Sequence, residues 1–134
     1  MLARLVGFPT VSRDSNLPLI DWVEDYLSAF GARCRRTWND ARDKANLYAA
    51  IGPEVPGGVV LSGHTDVVPV DGQDWHTDPF VLTERDGLWY GRGSSDMKGF
   101  SAVFLSRLAH LDCTALQRPL YLALSYDEEV GCLG

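Results

Sequence analysis

The chain has 134 residues, of which 46% are hydrophobic and 22% are charged, and its formal net charge is −6 at pH 7. This length is about that of one domain with a real core, and the composition excludes a disordered or low-complexity chain. The acidic balance without any basic run excludes a nucleic-acid surface, and no apolar stretch is long enough to span a bilayer. We therefore expect neither nucleic acid nor a membrane as a partner.

The cysteines and the two ends of the chain bear on its location and completeness. Cys34, Cys113 and Cys132 are odd in number and far apart, without a C-x-x-C pair. This pattern is typical of reduced, mostly buried thiols and not of a disulfide framework, which predicts a cytoplasmic location. Residues 2–8 read as the tail of a helix, and the chain stops just after a predicted strand. We expect a fragment.

The first half of the chain predicts one helix and three strands. Apolar residues at helical spacing over 16–30 predict a helix that Asn16 or Ser15 caps. Strands are predicted over 32–38, 46–52 and 58–63. The last of these, GVVLSG, is continuously apolar, which is typical of a strand covered on both faces.

The second half predicts a long loop over 69–86, a hairpin of 80–84 with 87–91, a helix over 97–111 and an apolar strand over 118–126. Strand, helix and strand in this order form the crossover unit of a parallel sheet. The sequence thus predicts an α/β fold with a mixed, largely parallel sheet flanked by helices.

Polar residues follow the two apolar strands and precede the second helix. They are His64, Asp66, Asp96, Glu128 and Glu129. In open α/β sheets, binding sites form outside the carboxyl ends of the strands. One imidazole and several carboxylates from three segments are the ligands of a site for zinc or a related divalent ion.

Simple geometry suggests a role for each residue. Residues two apart in an extended segment point the same way, so Asp66 can reach the imidazole of His64 and fix its tautomer. Glu128 and Glu129 are adjacent and point to different sides unless a turn intervenes. One can bind a metal while the other takes a proton from water. Asp96 has two oxygens and can bridge two ions.

Each residue also has a plainer explanation. A single histidine after a strand is more often structural, an acidic run is usually a solvated loop, and Asp96 can cap the following helix. Only their joint position favours a metal site. Residues 76–78 repeat the triplet His-Thr-Asp without a preceding apolar strand, which predicts loop structure. We expect Lys98 to pair with Asp96 or a neighbour and assign it no catalytic role.

Three motifs, GHTDVVPVDGQDW, YGRGSSDMKG and LSYDEEVGCLG, resemble those of a known family. It comprises acetylornithine deacetylase, succinyl-diaminopimelate desuccinylase and related co-catalytic zinc aminoacylases and exopeptidases. The resemblance implies two divalent metal ions, zinc or cobalt. His64 would bind one ion, Asp96 would bridge both and Glu129 would bind the second. Asp66 would orient His64, and Glu128 would be the general base.

The motifs are most similar to the acetylornithine branch. This implies a small N-acyl amino acid as the substrate, with acetate removed from N2-acetyl-L-ornithine in arginine synthesis. Sister activities on succinyl-diaminopimelate, other N-acyl amino acids or dipeptides stay open, as does a non-catalytic scaffold of the same fold.

Members of the family are longer than this chain. Residues 1–134 would be the N-terminal portion of a metallohydrolase catalytic domain, without the dimerisation domain and the C-terminal part of the catalytic domain. The full-length protein would be a homodimer. Since further metal ligands would lie outside the chain, we expect it to be inactive alone and to bind zinc weakly.

Overall fold

The computed structural model describes all 134 residues. It contains three α-helices, a four-stranded sheet and a two-stranded hairpin. The helices are α1 (Leu2–Val6), α2 (Leu17–Ser28) and α3 (Lys98–Leu108), and the strands are β1 (Arg33–Trp38), β2 (Ala45–Ile51), β3 (Val59–His64), β4 (Thr83–Arg85), β5 (Leu88–Tyr90) and β6 (Leu120–Ser125). Strands β4 and β5 form the hairpin, as the sequence predicts.

The large sheet has the strand order β1-β2-β6-β3. Strands β3 and β6 pair in parallel and are joined through α3, which confirms the mixed α/β fold and the predicted crossover. The other two pairings are antiparallel, so the expectation of a largely parallel sheet is wrong for the strands of this chain. For β1 and β2 the reason is the connection length, because the short turn between them can join only antiparallel neighbours.

The helices pack on one face of this sheet. Alternate residues of β2 are buried there, namely Ala45, Leu47, Ala49 and Ile51. On the opposite face, Tyr48 is 42% exposed and its ring stacks on that of Tyr121. In β3, Val60 is 53% exposed, so our prediction that this strand is covered on both faces is wrong for this chain.

The core is apolar and joins α2, α3 and the covered face of the sheet. Its fully buried side chains include Ile20, Val23, Leu27, Leu105 and Leu108. Each buried side chain of this size contributes about 1.5–3 kcal/mol relative to an exposed one. This packing fixes where α3 begins, and hence where the residues just before it lie.

Asn16 is the residue before α2, but its side chain does not cap the helix. The amide bonds to both main-chain groups of Ala45, with Nδ2 2.8 Å from the carbonyl oxygen and Oδ1 3.0 Å from the amide nitrogen. It also donates to the Thr65 hydroxyl at 2.9 Å. The predicted capping role passes to Ser15, whose hydroxyl accepts from the Leu17 amide. Asn16 instead ties α2 to β2 and to the segment after β3.

The three cysteines form no disulfide. Cys34 and Cys113 are half-buried and Cys132 is exposed, so the expectation of mostly buried thiols is wrong. None of the helices is long and apolar enough to cross a membrane.

Candidate metal centre

The parallel pairing of β3 with β6 brings two polar segments to the same edge of the sheet. In the register of this pair, His64 lies beside Ser125. The Thr65 amide then donates to the Ser125 carbonyl at 2.8 Å, which continues the pairing beyond the strand. Residues 64–66 and 127–129 therefore leave the sheet side by side. The sequence predicts this juxtaposition, and the structure shows it.

His64 is 6% exposed, and its ring has a defined orientation. Nδ1 lies 2.9 Å from the main-chain carbonyl oxygen of Asp66. Because a carbonyl oxygen only accepts, Nδ1 carries the hydrogen in this bond. In the neutral ring, Nε2 is then the lone-pair nitrogen, and it lies 3.1 Å from Asp96 Oδ1 and 3.7 Å from Glu128 Oε2. The nitrogen lone pair and the carboxylate oxygens are all electron-rich and repel one another, so this arrangement favours a cation bound between them.

The Asp66 carboxylate is buried and accepts three hydrogen bonds. Ser12 Oγ donates to Oδ2 at 2.6 Å, and the amides of Glu128 and Glu129 donate at 3.1 and 3.2 Å. Its distance to Nδ1 of His64 is 3.5 Å, longer than a normal hydrogen bond. From the sequence, the Asp66 carboxylate is expected to hold the ring. In the structure the carbonyl of Asp66 holds the ring, and the carboxylate holds the peptide that carries the two glutamates.

The remaining acids surround His64 with negative charge. His64, Glu128 and Glu129 each offer one ligand atom, and these atoms all lie within 4.8 Å of one another. Burial, and next the neighbouring Asp96 carboxylate, raise the pKa of Glu129. No lysine or arginine forms an ion pair with Asp96, Glu128 or Glu129. One imidazole nitrogen and several carboxylate oxygens fit zinc or cobalt, and the crowded charge favours a bound cation.

Lys98 is 2% exposed, and its ammonium donates to the carbonyl of Phe8 at 2.5 Å. The expected pairing with Asp96 is therefore wrong. Burial lowers the pKa of Lys98 to about 8, since the ammonium has no carboxylate partner. This hydrogen bond joins the first turn of α3 to the N-terminal segment. It therefore helps to fix the position of Asp96, which lies two residues before Lys98.

Sequence reasoning missed two residues beside the centre. The Lys44 ammonium donates to Asp127 Oδ1 at 2.6 Å and to the Ser12 carbonyl at 2.5 Å, and the Ser12 hydroxyl binds Asp66. The partners are separated by 83, 32 and 54 positions. No local pattern marks such contacts, because neither residue belongs to a motif of alternating or helical period.

The sequence is similar to a known protein family and to a protein of known name. The sequence pattern of Peptidase family M20/M25/M40 matches residues 60–134. The chain is 43% identical over 141 aligned positions to the acetylornithine deacetylase of Pasteurella multocida (strain Pm70), and this alignment covers 100% of the chain and 37% of that protein. The chain thus spans little more than a third of the length of this relative.

Solved structures also resemble the fold, and two of them illustrate the likeness. Human carnosine dipeptidase 1 has a TM-score of 0.79 and 28% identity, covering 98% of this chain and 32% of that one. The M20 family metallo-carboxypeptidase Sso-CP2 from Sulfolobus solfataricus has a TM-score of 0.82 and 25% identity, covering 97% of this chain and 30% of that one. The family resemblance that the motifs indicate is confirmed: the chain belongs to Peptidase family M20/M25/M40.

Proposed function

We propose that residues 1–134 are the N-terminal portion of the catalytic domain of a metal-dependent amide hydrolase. Its reaction removes acetate from N2-acetyl-L-ornithine in arginine biosynthesis. One observation carries the proposal: His64 Nε2 meets Asp96 at 3.1 Å and Glu128 at 3.7 Å at the edge of the sheet. The 43% identity to an acetylornithine deacetylase supports this substrate.

The rest of the protein is part of the same proposal. Residues outside these 134 supply the dimerisation domain, the remaining metal ligands and the groups that recognise the substrate. The chain covers 37% of its relative, which leaves room for all of these. The whole protein is then a cytoplasmic homodimer, and the chain alone is inactive and binds zinc weakly.

We assign His64, Asp96 and Glu129 as the residues that would hold two divalent ions, zinc or cobalt. Glu129 suits a ligand because it is half-buried among like charges, whereas the side chain of Glu128 is 46% exposed. When bound, such ions polarise a carbonyl group and lower the pKa of water. His64 presents its lone pair because the Asp66 carbonyl holds the hydrogen on Nδ1.

Glu128 is the proposed general base. Its carboxylate takes a proton from the attacking water while the oxygen of that water bonds to the acyl carbon. As the C–N bond breaks, Glu128 returns this proton to the departing nitrogen, and the second proton of the water passes from the new carboxyl group to the amine, so the products are acetate and an ammonium group. Asp66 binds the Glu128 amide at 3.1 Å and thereby fixes the peptide from which the base extends.

The direct test is zinc-dependent acetate release from N-acetylornithine. We expect release by the uninterrupted product of the gene and none by the 134-residue chain measured alongside. Turnover by the 134-residue chain at a comparable rate would refute the proposal that residues outside this chain complete the site.

A second candidate is a sister hydrolase that acts on dipeptides, and the similarity to human carnosine dipeptidase 1 favours it. A panel of N-acetylornithine, succinyl-diaminopimelate, N-acyl amino acids and dipeptides separates the candidates by relative kcat/KM. If no member of the panel is hydrolysed by the zinc-loaded protein, a non-catalytic scaffold becomes the better proposal.

A further inference from the structure

We propose that Lys44 is a positioning residue for the metal centre. Its ammonium joins the Asp127 carboxylate to the Ser12 carbonyl and thereby holds the turn that carries Glu128 and Glu129. This inference rests on the proposed function, because it gives Lys44 a task within that centre.

The ion pair between Lys44 and Asp127 is shielded from solvent. Both side chains are 12% exposed, and Nζ lies 2.6 Å from Oδ1. The same ammonium donates to the Ser12 carbonyl at 2.5 Å. Surface ion pairs contribute little, but removing one partner of a shielded pair leaves an uncompensated charge or unpaired polar group. Loss of the ammonium should therefore destabilise the positions of its two partners, the Asp127 carboxylate and the Ser12 carbonyl.

The carboxylate that Lys44 holds controls the direction of the two glutamates. Asp127 directly precedes Glu128 and has a φ of 55°, in the left-handed region that non-glycine residues rarely adopt. A return of this residue to ordinary dihedral angles would redirect every side chain after it. The bond from Lys44 fixes the Asp127 side chain and so opposes that change.

The contacts close into a ring around the turn. Lys44 binds Asp127 and the Ser12 carbonyl, the Ser12 hydroxyl donates to Asp66, and Asp66 accepts from the amide of Glu128. The turn is thus held on one side by a cation and on the other by an anion. Ser12 connects the cation, Lys44, with the anion, Asp66, because its carbonyl accepts from the first and its hydroxyl donates to the second.

Lys44 itself is held at the start of β2. Its amide donates to Asn39 Oδ1 at 3.0 Å, and its carbonyl accepts from the Asn39 amide at 3.2 Å. It forms no ion pair with Asp96, Glu128 or Glu129. Its effect on the centre therefore passes through Asp127 and Ser12, which distinguishes it from a ligand or a base.

The test is Lys44→Met in the uninterrupted gene product. Zinc affinity is measured by competition with a chromophoric chelator, and the geometry of the centre by the visible absorption of the cobalt-loaded protein. We expect the zinc affinity to fall about 10- to 100-fold, as for other residues that support metal ligands, with altered cobalt bands. With N-acetylornithine, kcat should fall while KM stays within about twofold. Lys44→Arg should restore part of the affinity, because it keeps the charge and the donors.

Arg13→Met is the matched control. Arg13 follows Ser12, but it pairs with Asp71 in the open, with the two side chains 58% and 65% exposed. This variant should keep the zinc affinity and the cobalt spectrum of the parent.

Asp127→Asn and the double variant complete the design. If Lys44 acts through Asp127, the double variant loses no more zinc affinity than Lys44→Met alone. Losses that multiply, or a Lys44→Met protein with the parent's affinity and cobalt spectrum, would overturn the inference. Should Lys44→Met fail to fold, the isosteric Asp127→Asn decides, and unchanged affinity there also refutes it. A parent protein that binds no zinc would refute the metal centre itself, together with this inference.

Discussion

The chain contains the triplet His-Thr-Asp twice, and the two copies have different surroundings. In the first, residues 64–66 begin at the last residue of β3 and are 6%, 2% and 2% exposed. In the second, residues 76–78 lie in the long loop, where His76 and Asp78 are exposed. The prediction of loop structure for the second copy is confirmed. The same three residue types therefore do not make a site by themselves.

The difference lies in the partners that other segments supply. Thr65 accepts from Asn16 and donates to the Ser125 carbonyl, and Asp66 accepts from Ser12. Asp78 has only a local bond, from the amide of Phe80 two positions later. Buried polar groups need such partners, whereas water satisfies the exposed copy.

The largest expected effect comes from removing one histidine of each triplet in the uninterrupted gene product. His64→Ala should lower zinc affinity by more than about 100-fold, since His64 is a proposed ligand and loss of a ligand costs more than loss of a supporting residue. His76→Ala should stay within about twofold, as an exposed substitution. Chelator competition measures both. Equal losses would remove the distinction between the copies.

The next effect separates the proposed base from the proposed ligands. Glu128→Gln should lower kcat for N-acetylornithine about 10²- to 10⁴-fold, because the amide cannot accept the proton, while zinc stays bound. Glu54→Gln is the control, since that side chain is 76% exposed and pairs only with Arg33. The measurements are steady-state kinetics and the zinc content of the purified variants. An unchanged kcat in Glu128→Gln would contradict the proposed base.

The two aspartates give a smaller contrast. Asp66→Asn keeps the size but leaves one fewer accepting oxygen for the amides of Glu128 and Glu129. We expect a loss of about 1–3 kcal/mol in the free energy of unfolding in urea. Asp78→Asn should change it by less than about 0.5 kcal/mol. If both variants unfold at the same urea concentration, the buried network does not contribute as we describe.

The smallest effect concerns a charge in the long loop. Arg13 donates a hydrogen bond to Asp71 and holds the pKa of that carboxyl below its usual 3.8. Because the pKa is lower in the folded state, the pair stabilises the protein above the unfolded pKa, and this contribution is lost as the pH falls through the folded pKa. Arg13→Met should return the pKa of Asp71 toward 3.8. Carbon-13 NMR titration of the Asp71 carboxyl group measures this pKa in both proteins. The same pKa in the parent and in Arg13→Met would show that the contact does not exist in solution.

Much of the candidate site could be predicted from the sequence. The apolar runs before His64 and before Asp127 mark strands, and parallel strands present their carboxyl ends at the same edge. That reasoning suffices to bring these two segments and the start of α3 together. It cannot supply Ser12 or Lys44, because their contacts span 54 and 83 positions and depend on how the packed elements meet.

The division of labour within Asp66 illustrates the same limit. The spacing of two residues predicts that Asp66 and His64 interact, and they do. Which atom of Asp66 serves the ring depends on where the amides of Glu128 and Glu129 lie, since they occupy the carboxylate. Only the pairing of β3 with β6 decides that position.

By itself the sequence determined the α/β class, the crossover from β3 through α3 to β6, the polar residues at the sheet edge and the family. These follow from local periodicity and from motifs, which depend on neighbouring residues. The tertiary structure alone decided that β2 pairs antiparallel with β6, that one face of the sheet is open, and that Lys44 and Ser12 contact the acidic turn and its neighbours. Such features depend on how distant segments pack and on which of them satisfy each other's buried polar groups, and no short stretch of sequence encodes that arrangement.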